Sequence, residues 1–261
     1  MKCRHLIIII ISLAGSVKIV FAQTVTLDYY FNHETHQDAQ GHPTRFHYLW
    51  EDTTDTGFSI LGNAFRKTGA RLTSLETAPT PSNLKSTDIY IIVDPDNERE
   101  STHPNFIKPK NIDAIDHWVN AGGVLVIMAN DSANVELPHF NHLANHFGMH
   151  FNNDVQNHVI DDQHFQEGAI NISDSSIFKT ANKIFIKDAS SISLKAPAYA
   201  AVKNSNGAVI IAIAKYGKGT VFAVGDPWLY NEYTNGRLPA NFENDKAAND
   251  LAQWLISQTK H

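Results

Sequence analysis

Three short apolar runs in this 261-residue chain each stop at a cluster of polar residues. The runs cover residues 89–93, 124–128 and 221–224, and an unbroken apolar run of this length is typical of a strand buried on both faces. In an open α/β sheet the carboxyl ends of parallel strands meet at one edge, and ligands bind there. We therefore expect a binding site at that edge, built from the polar residues that follow the runs: Asp94, Asp96, Asn130, Asp131 and Asp226.

Helical periodicity alternates with these runs. Phe58, Leu61 and Phe65 keep helical spacing before Gly69, and an apolar stripe over residues 112–119 ends at Gly122. Alternation of strands and helices is typical of βαβ units. The predicted fold class is α/β, with a mostly parallel sheet and helices on both of its faces.

The pattern changes after residue 151. Short strands are predicted at residues 159–160, 184–186 and 192–194, followed by a hairpin of residues 200–203 and 208–215. A last helix carries Ala247, Leu251, Trp254 and Leu255 on one side. We expect a β-rich C-terminal part within a single domain of residues 23–261.

Residues 1–22 have the pattern of a signal peptide. Lys2 and Arg4 precede an apolar stretch that is shorter than the roughly 20 residues a membrane-spanning helix needs, and a small-residue cleavage site ends at Ala22. Export to the periplasm or the medium is therefore predicted, with no membrane anchor after cleavage. Cleavage removes Cys3, the only cysteine, which excludes disulfides, thiolate metal sites and a cysteine nucleophile.

The charge of the chain is acidic. The formal net charge is −6, and loss of three basic residues with the signal peptide takes it to −9. An acidic chain is a poor candidate for binding nucleic acid. No glycine-rich phosphate-binding motif is present, so no nucleotide cofactor is predicted.

Five segments carry a resemblance to a known family. They are DYYFN from residue 28, FHYLWEDTTDTGFSILG from 46, IYIIVDPDNE from 89, WVNAGGVLVIMANDSAN from 118 and GKGTVFAVGDPWLYNEY from 217. Together they resemble a bacterial domain-of-unknown-function family with a class I glutamine-amidotransferase-like, flavodoxin-like fold, a three-layer sandwich. The resemblance implies a functional link to unsaturated glucuronyl hydrolases, because such domains occur fused or adjacent to them.

The resemblance also implies an activity, and one segment of the chain departs from the pattern of true amidotransferases. Some members of the family look like oligosaccharide dehydratases, which remove water from a non-reducing-end uronic acid to give a 4,5-unsaturated sugar. True amidotransferases place a cysteine after a central strand, whereas residues 129–133 contain no thiol here, and Ser132 lacks the flanking glycines of a nucleophile elbow.

Dehydration of a uronic acid needs a neutralised carboxylate, a base and an acid. His47, Tyr230 and Tyr30 are the predicted catalytic residues, with His47 and Tyr230 as the proton-transfer pair. Arg45 and the asparagines are candidates to hold the carboxylate, and the tryptophans to stack on sugar rings. The predicted substrate-binding residues are Asn32, Arg45, Trp50, Asp94, Asp96, Asn130, Asp131, Asp226, Trp228 and Asn231.

Other interpretations of the same residues stay open. The chain is alternatively a non-catalytic carbohydrate-binding domain, or a glycoside hydrolase that uses two carboxylates such as Asp94 and Asp131. Each aromatic residue and histidine is alternatively a packing residue. Two metal sites are conceivable but not predicted, a calcium loop at residues 94–98 and a histidine face of His139, His142 and His146.

Overall fold

The computed structural model describes residues 22–173 and 175–259. All of the predicted signal peptide except Ala22 lies outside the described residues. In chain order the strands are β1 (Thr24–Asp28), β2 (Thr35–Gln37), β3 (Pro43–Arg45), β4 (Arg71–Leu75), β5 (Ile89–Val93), β6 (Val124–Met128), β7 (Met149–Phe151), β8 (Ala169–Asn171), β9 (Lys183–Phe185), β10 (Ile192–Leu194), β11 (Ala198–Lys203), β12 (Val209–Tyr216) and β13 (Gly219–Val224). The helices are α1 (Ser59–Lys67), α2 (Pro81–Leu84), α3 (Pro109–Asn120), α4 (Leu137–His146), α5 (Asn231–Thr234) and α6 (Asn244–Gln258).

A seven-stranded sheet forms the centre of the molecule. Its strands lie side by side in the order β4, β1, β5, β6, β13, β12, β11. The strands from β4 to β13 are parallel, whereas β12 and β11 continue the sheet in antiparallel pairing. The predicted α/β class with a mostly parallel sheet is therefore confirmed.

Both faces of the sheet are covered, as the unbroken apolar runs predict. On β5, Ile89, Ile91 and Val93 pack in one cluster with α1 and α6, and Tyr90 and Ile92 pack in the other with α3 and α4. Successive side chains of a strand point to opposite faces, so a strand between two helical layers has no polar face. Polar residues are therefore found at the ends of these strands.

Close backbone packing explains one of the glycines. A Cβ atom at Gly123 would lie 2.4 Å from the ring of Trp118, because the chain turns from α3 directly into β6 beneath that ring. Any side chain at this position would displace Trp118. Gly123 therefore sets where β6 begins, and through β6 the position of the residues that follow it.

One expectation about local structure is wrong. Residues 159–160 form no strand: Val159 is buried against Phe165 and Phe185, while Ile160 is exposed and pairs with no strand in the described structure. The segment between β1 and α1 contains the β2–β3 hairpin. An apolar pair by itself does not specify a strand when no partner strand lies beside it.

No helix within residues 22–173 and 175–259 combines the length and the apolar character needed to cross a membrane.

Candidate functional site

A cleft of about 330 Å³ opens at the carboxyl ends of the parallel strands. Segments that follow four neighbouring strands supply its walls, with Glu34 after β1, Asp94 after β5, Asn130 after β6 and Asp226 after β13. Its volume is near the lower end of the roughly 300–1,000 Å³ found for small-molecule sites. The cleft is lined by Glu34, His47, Tyr48, Thr56, Asp94, Glu100, Asn130, Asn134, Lys187, Asp188, Asp226, Tyr230, Glu232 and Tyr233.

Strained backbone is concentrated at this cleft. Five non-glycine residues in the described part of the chain have positive φ, and four of them line the cleft: His47 (62°), Tyr48 (52°), Asp94 (33°) and Asp188 (50°). A positive φ is unfavourable for residues with a Cβ atom, and such residues cluster at functional sites. The strain indicates that the structure holds these side chains in place in the cleft at the expense of a favourable backbone conformation.

His47 is oriented by a carboxylate. Its Nδ1 atom lies 2.7 Å from Oε1 of Glu34, and the Glu34 side chain is only 16% exposed. An ionised carboxylate only accepts hydrogen bonds, so in the neutral imidazole this contact places the proton on Nδ1 and makes Nε2 the acceptor. A histidine held in this way has the arrangement of a general base with its orienting group.

Tyr48 and Asp94 form a buried pair beside His47. The Tyr48 hydroxyl donates to Oδ2 of Asp94 at 2.9 Å, and the Asn32 amide donates to the backbone oxygen of Asp94 at 3.0 Å. The other carboxyl oxygen of Asp94, Oδ1, is buried and has no protein partner in the described structure. Burial raises the pKa of Asp94 well above its ordinary value. Asp94 therefore combines an unpaired buried oxygen with a carboxyl that favours its protonated form.

Two further carboxyls hold protons near neutral pH. Burial raises the pKa of Asp226 to about 7, against the backbone hydrogen bond it accepts from Lys187. Burial likewise raises the pKa of Glu100 to about 7. A carboxylic acid with a pKa near the working pH is well suited to proton transfer.

The remaining carboxylates of the cleft are paired with cationic or titratable groups. Besides Glu34 with His47, Asp188 lies 2.7 Å from His158, and Glu232 contacts Arg237. Lys187 is the only lysine or arginine among the described lining residues. The six carboxyls thus divide into three with such partners (Glu34, Asp188, Glu232) and three whose pKa is raised (Asp94, Glu100, Asp226), so the cleft is less negative than its composition suggests.

Two tyrosines form the wall opposite His47. The rings of Tyr230 and Tyr233 lie 5.0 Å apart, and Tyr48 lies between His47 and Tyr230, with ring centroids 5.2 and 6.0 Å from theirs. Burial raises the pKa of Tyr233 to about 12 and that of Tyr230 further above its ordinary value. Both hydroxyls therefore keep their protons and act as hydrogen-bond donors rather than as ready acids.

No protein-family model matches this sequence, and no curated protein matches it either. Among solved structures, the N-terminal domain of mmIFT52 is similar, with a TM-score of 0.67 and 19% identity over 92% of this chain and 100% of that domain. Cytoplasmic protein STM1381 from Salmonella typhimurium LT2 has a TM-score of 0.58 and 15% identity over 91% of this chain and 100% of its own. The β-galactosidase from Rahnella sp. R3 has a TM-score of 0.50 and 14% identity over 84% of this chain, which spans 31% of that enzyme. At these identities the similarity shows the fold alone.

Five of the predicted site residues come together in the cleft. They are His47, Asp94, Asn130, Asp226 and Tyr230. Asn130 accepts a hydrogen bond from the backbone of Asp131 through Oδ1, which leaves its amide group as a donor. Strand-end position therefore located the cleft correctly for the strands β5, β6 and β13.

The predicted stacking role of the two tryptophans is wrong. Trp228 is fully buried against Phe178, and Trp50 is 5% exposed, with its indole nitrogen donating to the backbone of Thr73. A buried ring presents no face to a sugar. Both are core residues, and their burial is contributed by helices α1 and α6, which the local sequence around them does not reveal.

Arg45 is not free to bind a carboxylate. Its guanidinium group lies 3.8 Å from the ring centre of Tyr29, 3.2 Å from Glu51 and 3.1 Å from Glu76. With two carboxylate partners and an aromatic face already engaged, it stabilises the loop after β1 instead. The prediction that Arg45 neutralises a substrate is corrected accordingly; the lysine that lines the cleft is Lys187, whose Nζ lies 3.8 Å from Asp188.

Four more predicted residues lie beside the cleft without lining it. The Tyr30 ring packs against Phe31 at 5.2 Å, and Asp131 accepts hydrogen bonds from its own loop at Ala133 and Asn134. Asn32 supports the backbone of Asp94, and Asp96, whose pKa is raised to about 7 by burial, accepts from the backbone of His33. Asn32 and Asp96 thus connect the loops after β1 and β5, Asp131 stabilises its own loop, and none of the four lines the cleft.

Asn231 is a structural residue, which corrects its predicted binding role. Its Nδ2 donates to the backbone oxygens of Asp52 and Thr54 at 3.0 and 2.7 Å, and its Oδ1 accepts from the backbone of Ile60 at 3.1 Å. We expect Asn231→Ala to lower the free energy of unfolding by about 3 kcal/mol, because it removes three hydrogen bonds between a buried side chain and the backbone of residues 52–60. Urea unfolding measures the change.

A neighbouring asparagine provides the control. Asn235 is exposed and donates to Asp55, so Asn235→Ala should change the free energy of unfolding by less than about 1 kcal/mol. Equal effects of the two substitutions would contradict the structural role of Asn231.

The conceivable metal sites are not assembled. The part of the chain that the structure describes contains no group of three or more histidine, cysteine, aspartate or glutamate residues placed to hold a metal ion. His139 instead lies 2.9 Å from Glu136, and His146 lies 3.8 Å from Asp116.

Several residues of the cleft were missed in the sequence. Lys187 and Asp188 follow the predicted strand of residues 184–186, so the rule of polar residues after an apolar run would have found them. Tyr48 and Glu34 carried no such signal, since the loop after β1 brings them to the cleft through its hydrogen bonds. Tyr233 lies one helical turn beyond Tyr230, in the short helix α5 that the sequence did not predict.

Proposed function

We propose that this protein is a carbon–oxygen lyase that removes water from a uronic acid at the non-reducing end of an acidic oligosaccharide. The observation that carries the proposal is the meeting of an oriented histidine, His47, and a protonatable carboxyl, Asp226, in one strained cleft. The two groups supply the base and the acid that an elimination requires. No nucleotide or metal is needed for either role.

The roles follow from the chemistry of each group. Nε2 of His47 takes the proton from carbon 5, and the electron pair of that bond forms the double bond between carbons 4 and 5. The bond from carbon 4 to its hydroxyl breaks, and the hydroxyl takes a proton from Asp226 and leaves as water. Tyr230, first assigned as half of the proton-transfer pair, instead donates a hydrogen bond, because its raised pKa makes it a weak acid.

The carboxylate of the sugar must be neutralised for its neighbouring proton to become acidic. Lys187 provides the positive charge, and protonated Glu100 and Asp94 provide hydrogen-bond donors rather than repulsion. An anionic sugar would raise the pKa of these carboxyls further, so it would bind with uptake of protons and bind more tightly below about pH 7.

We also infer a flavodoxin-like arrangement of the sheet. Counted along the chain, the five parallel strands lie in the order 2-1-3-4-5, which is the order of that fold class. The order reverses between β1 and β5, and Glu34 and Asp94 follow these two strands. Ligands of such sheets bind at this reversal point, which supports a catalytic use of the cleft. Export, and a functional link to an unsaturated glucuronyl hydrolase that consumes the product, stay predictions of the sequence.

Ultraviolet absorbance tests the activity directly. The protein lacking residues 1–22 is incubated with saturated glucuronic-acid-ended oligosaccharides, and we expect absorbance from the new double bond conjugated to the carboxylate. Mass spectra should show loss of one water with no change in chain length. Binding of the sugars without any absorbance or mass change would favour the non-catalytic carbohydrate-binding alternative.

A glycoside hydrolase is the second candidate. Asp94 and Asp226 are both buried, both lie in the cleft, and the charge of Asp226 raises the pKa of Asp94. Glycoside hydrolases use two carboxyls, and in many of them at least one has a shifted pKa. Asp131, the partner that the sequence suggests for Asp94, lies outside the cleft. Shortened chains without unsaturation would identify this activity in the same mass spectra.

A further inference from the structure

A second cavity, which we call the α4 groove, lies next to the cleft. It measures about 750 Å³ and runs between the loop before α3 and the start of α4. Asn97, Arg99, Phe106, Ser132, His139 and Asn153 are among its lining residues. The proposed reaction assigns no role to any of them.

Two loops, which we call the ridge, line both the cleft and the groove. The loop after β5 places Glu100 in the cleft and Arg99 in the groove, and the loop after β6 similarly divides Asn130 from Ser132. A hydrogen bond of 3.1 Å from the Asn97 amide to the backbone of Ala133 joins the two loops. A linear molecule that fills the cleft can therefore continue over this ridge into the groove.

The groove presents an aromatic surface. Phe106 stacks on His139 with ring centroids 4.7 Å apart and planes 8° from parallel, and Phe106 is only partly buried. Glu136 holds His139 in place through both its backbone nitrogen and Nδ1, at 2.9 Å each. A fixed aromatic face attracts the C–H edges of a pyranose ring, because the face of the π system is negative.

The charge of the groove differs from that of the cleft. Arg99 is exposed, and its guanidinium group forms no ion pair with the described residues. Of the two carboxylates in the groove, Glu136 is occupied with His139, and Glu98 is exposed. Arg99 is thus available to an acidic group on a ligand, whereas the cleft offers one lysine among six carboxyls.

We propose that the α4 groove is a second sugar-binding subsite, which holds the ring next to the one in the cleft and prefers a ring that carries an acidic group. Phe106 stacks on the ring, and Arg99 pairs with its carboxylate or sulfate. The position of the reacting ring in the cleft rests on the proposed function, but binding of a sugar in the groove does not depend on turnover.

Calorimetry with two probes tests the subsite. Glucuronic acid fits the cleft alone, whereas a saturated glucuronic-acid-ended tetrasaccharide reaches the groove. We expect Phe106→Ala to weaken binding of the tetrasaccharide roughly tenfold and to leave binding of glucuronic acid within about twofold. Arg99→Ala should also weaken only the tetrasaccharide, with a smaller dependence on salt than the wild type shows.

The same calorimetry includes a control variant and gives the results that would overturn the proposal. Tyr199 is an exposed aromatic residue on the edge strand β11, outside the groove, and Tyr199→Ala should leave both affinities unchanged. The proposal is overturned if the wild-type protein does not prefer the tetrasaccharide, or if Phe106→Ala and Arg99→Ala leave its affinity unchanged. Every protein in this comparison, including the one that is wild type at positions 99, 106 and 199, also carries His47→Ala, so turnover does not consume the probe and a failure of the dehydratase proposal does not affect the result.

Discussion

Asp226→Asn is expected to lower kcat for dehydration by roughly 10²–10⁴-fold, the usual contribution of a positioned acid. Asparagine keeps the shape of the side chain and can still accept the backbone hydrogen bond of Lys187, at 3.0 Å in the wild type. It has no proton of suitable acidity to give to the leaving hydroxyl. Binding of the substrate should change little, since Lys187 and Asn130 remain in place.

Two companion variants separate the lyase from the hydrolase. His47→Ala should reduce dehydration as strongly as Asp226→Asn, because it removes the base. If the protein is instead a hydrolase that uses Asp94 and Asp226, the His47→Ala variant should retain most of its hydrolytic activity. Asp94→Asn should be nearly inactive only in the hydrolase. Steady-state kinetics with product masses decide between them, and full dehydration by Asp226→Asn would rule out the assigned acid.

The pH dependence of dehydration follows from the same residue. Asp226 must carry its proton to act as an acid, and its pKa is raised by burial to about 7. We therefore expect kcat/KM, which reports ionisation of the free enzyme, to fall as the pH rises through about 7. A rate that stays constant from pH 6 to pH 9 would exclude Asp226 as the acid.

The same substitution is expected to stabilise the protein above pH 7, by roughly 2–4 kcal/mol at pH 8. In the folded state Asp226 has a pKa of about 7, whereas the ordinary value is 3.8. Between these values the folded protein binds more protons at this site than the unfolded chain. The free energy of unfolding therefore decreases as the pH rises from about 4 to about 7, and asparagine, which cannot ionise, removes this loss.

Urea unfolding at pH 5 and pH 8 measures the difference. Asp226→Asn should be more stable than the wild type by roughly 1–2 kcal/mol at pH 5 and by the larger amount given above at pH 8. Asp113→Asn is a matched control because Asp113 is exposed on α3, and its substitution should have the same small effect at both pH values. An equal effect of Asp226→Asn at both pH values would mean that Asp226 is not buried as a protonated acid. Gain of stability together with loss of turnover is expected for a residue kept for its chemistry.

Much of the fold could be predicted because its signals are local. The runs at residues 89–93 and 124–128 coincide with β5 and β6, and the helical stripe of residues 112–119 lies within α3. A strand covered on both faces must be apolar throughout, so its sequence carries the information. Residues 159–160 show the limit of this reasoning, because two apolar residues form a strand only where another strand is available to pair.

The roles of individual side chains could be predicted less well than the fold. Trp228 and Asp226 are separated by one residue and both were predicted to bind substrate, yet Trp228 packs in the core and Asp226 lines the cleft. Asn130 and Asn231 both follow buried strands, but Asn231 is occupied by the backbone of residues 52–60. Nothing in the order of residues distinguishes these cases, because each depends on which distant segment lies opposite.

The sequence by itself determined the α/β class, most strand and helix positions, and the edge of the sheet at which polar residues gather, since all of these follow from the spacing of apolar residues along the chain. Only the tertiary structure decided which polar residues share a cleft, that Tyr48 and Glu34 belong to it, and that Asp226 holds a proton near neutral pH. A pKa depends on burial and on neighbouring charges, and both are contributed by residues far away in the chain.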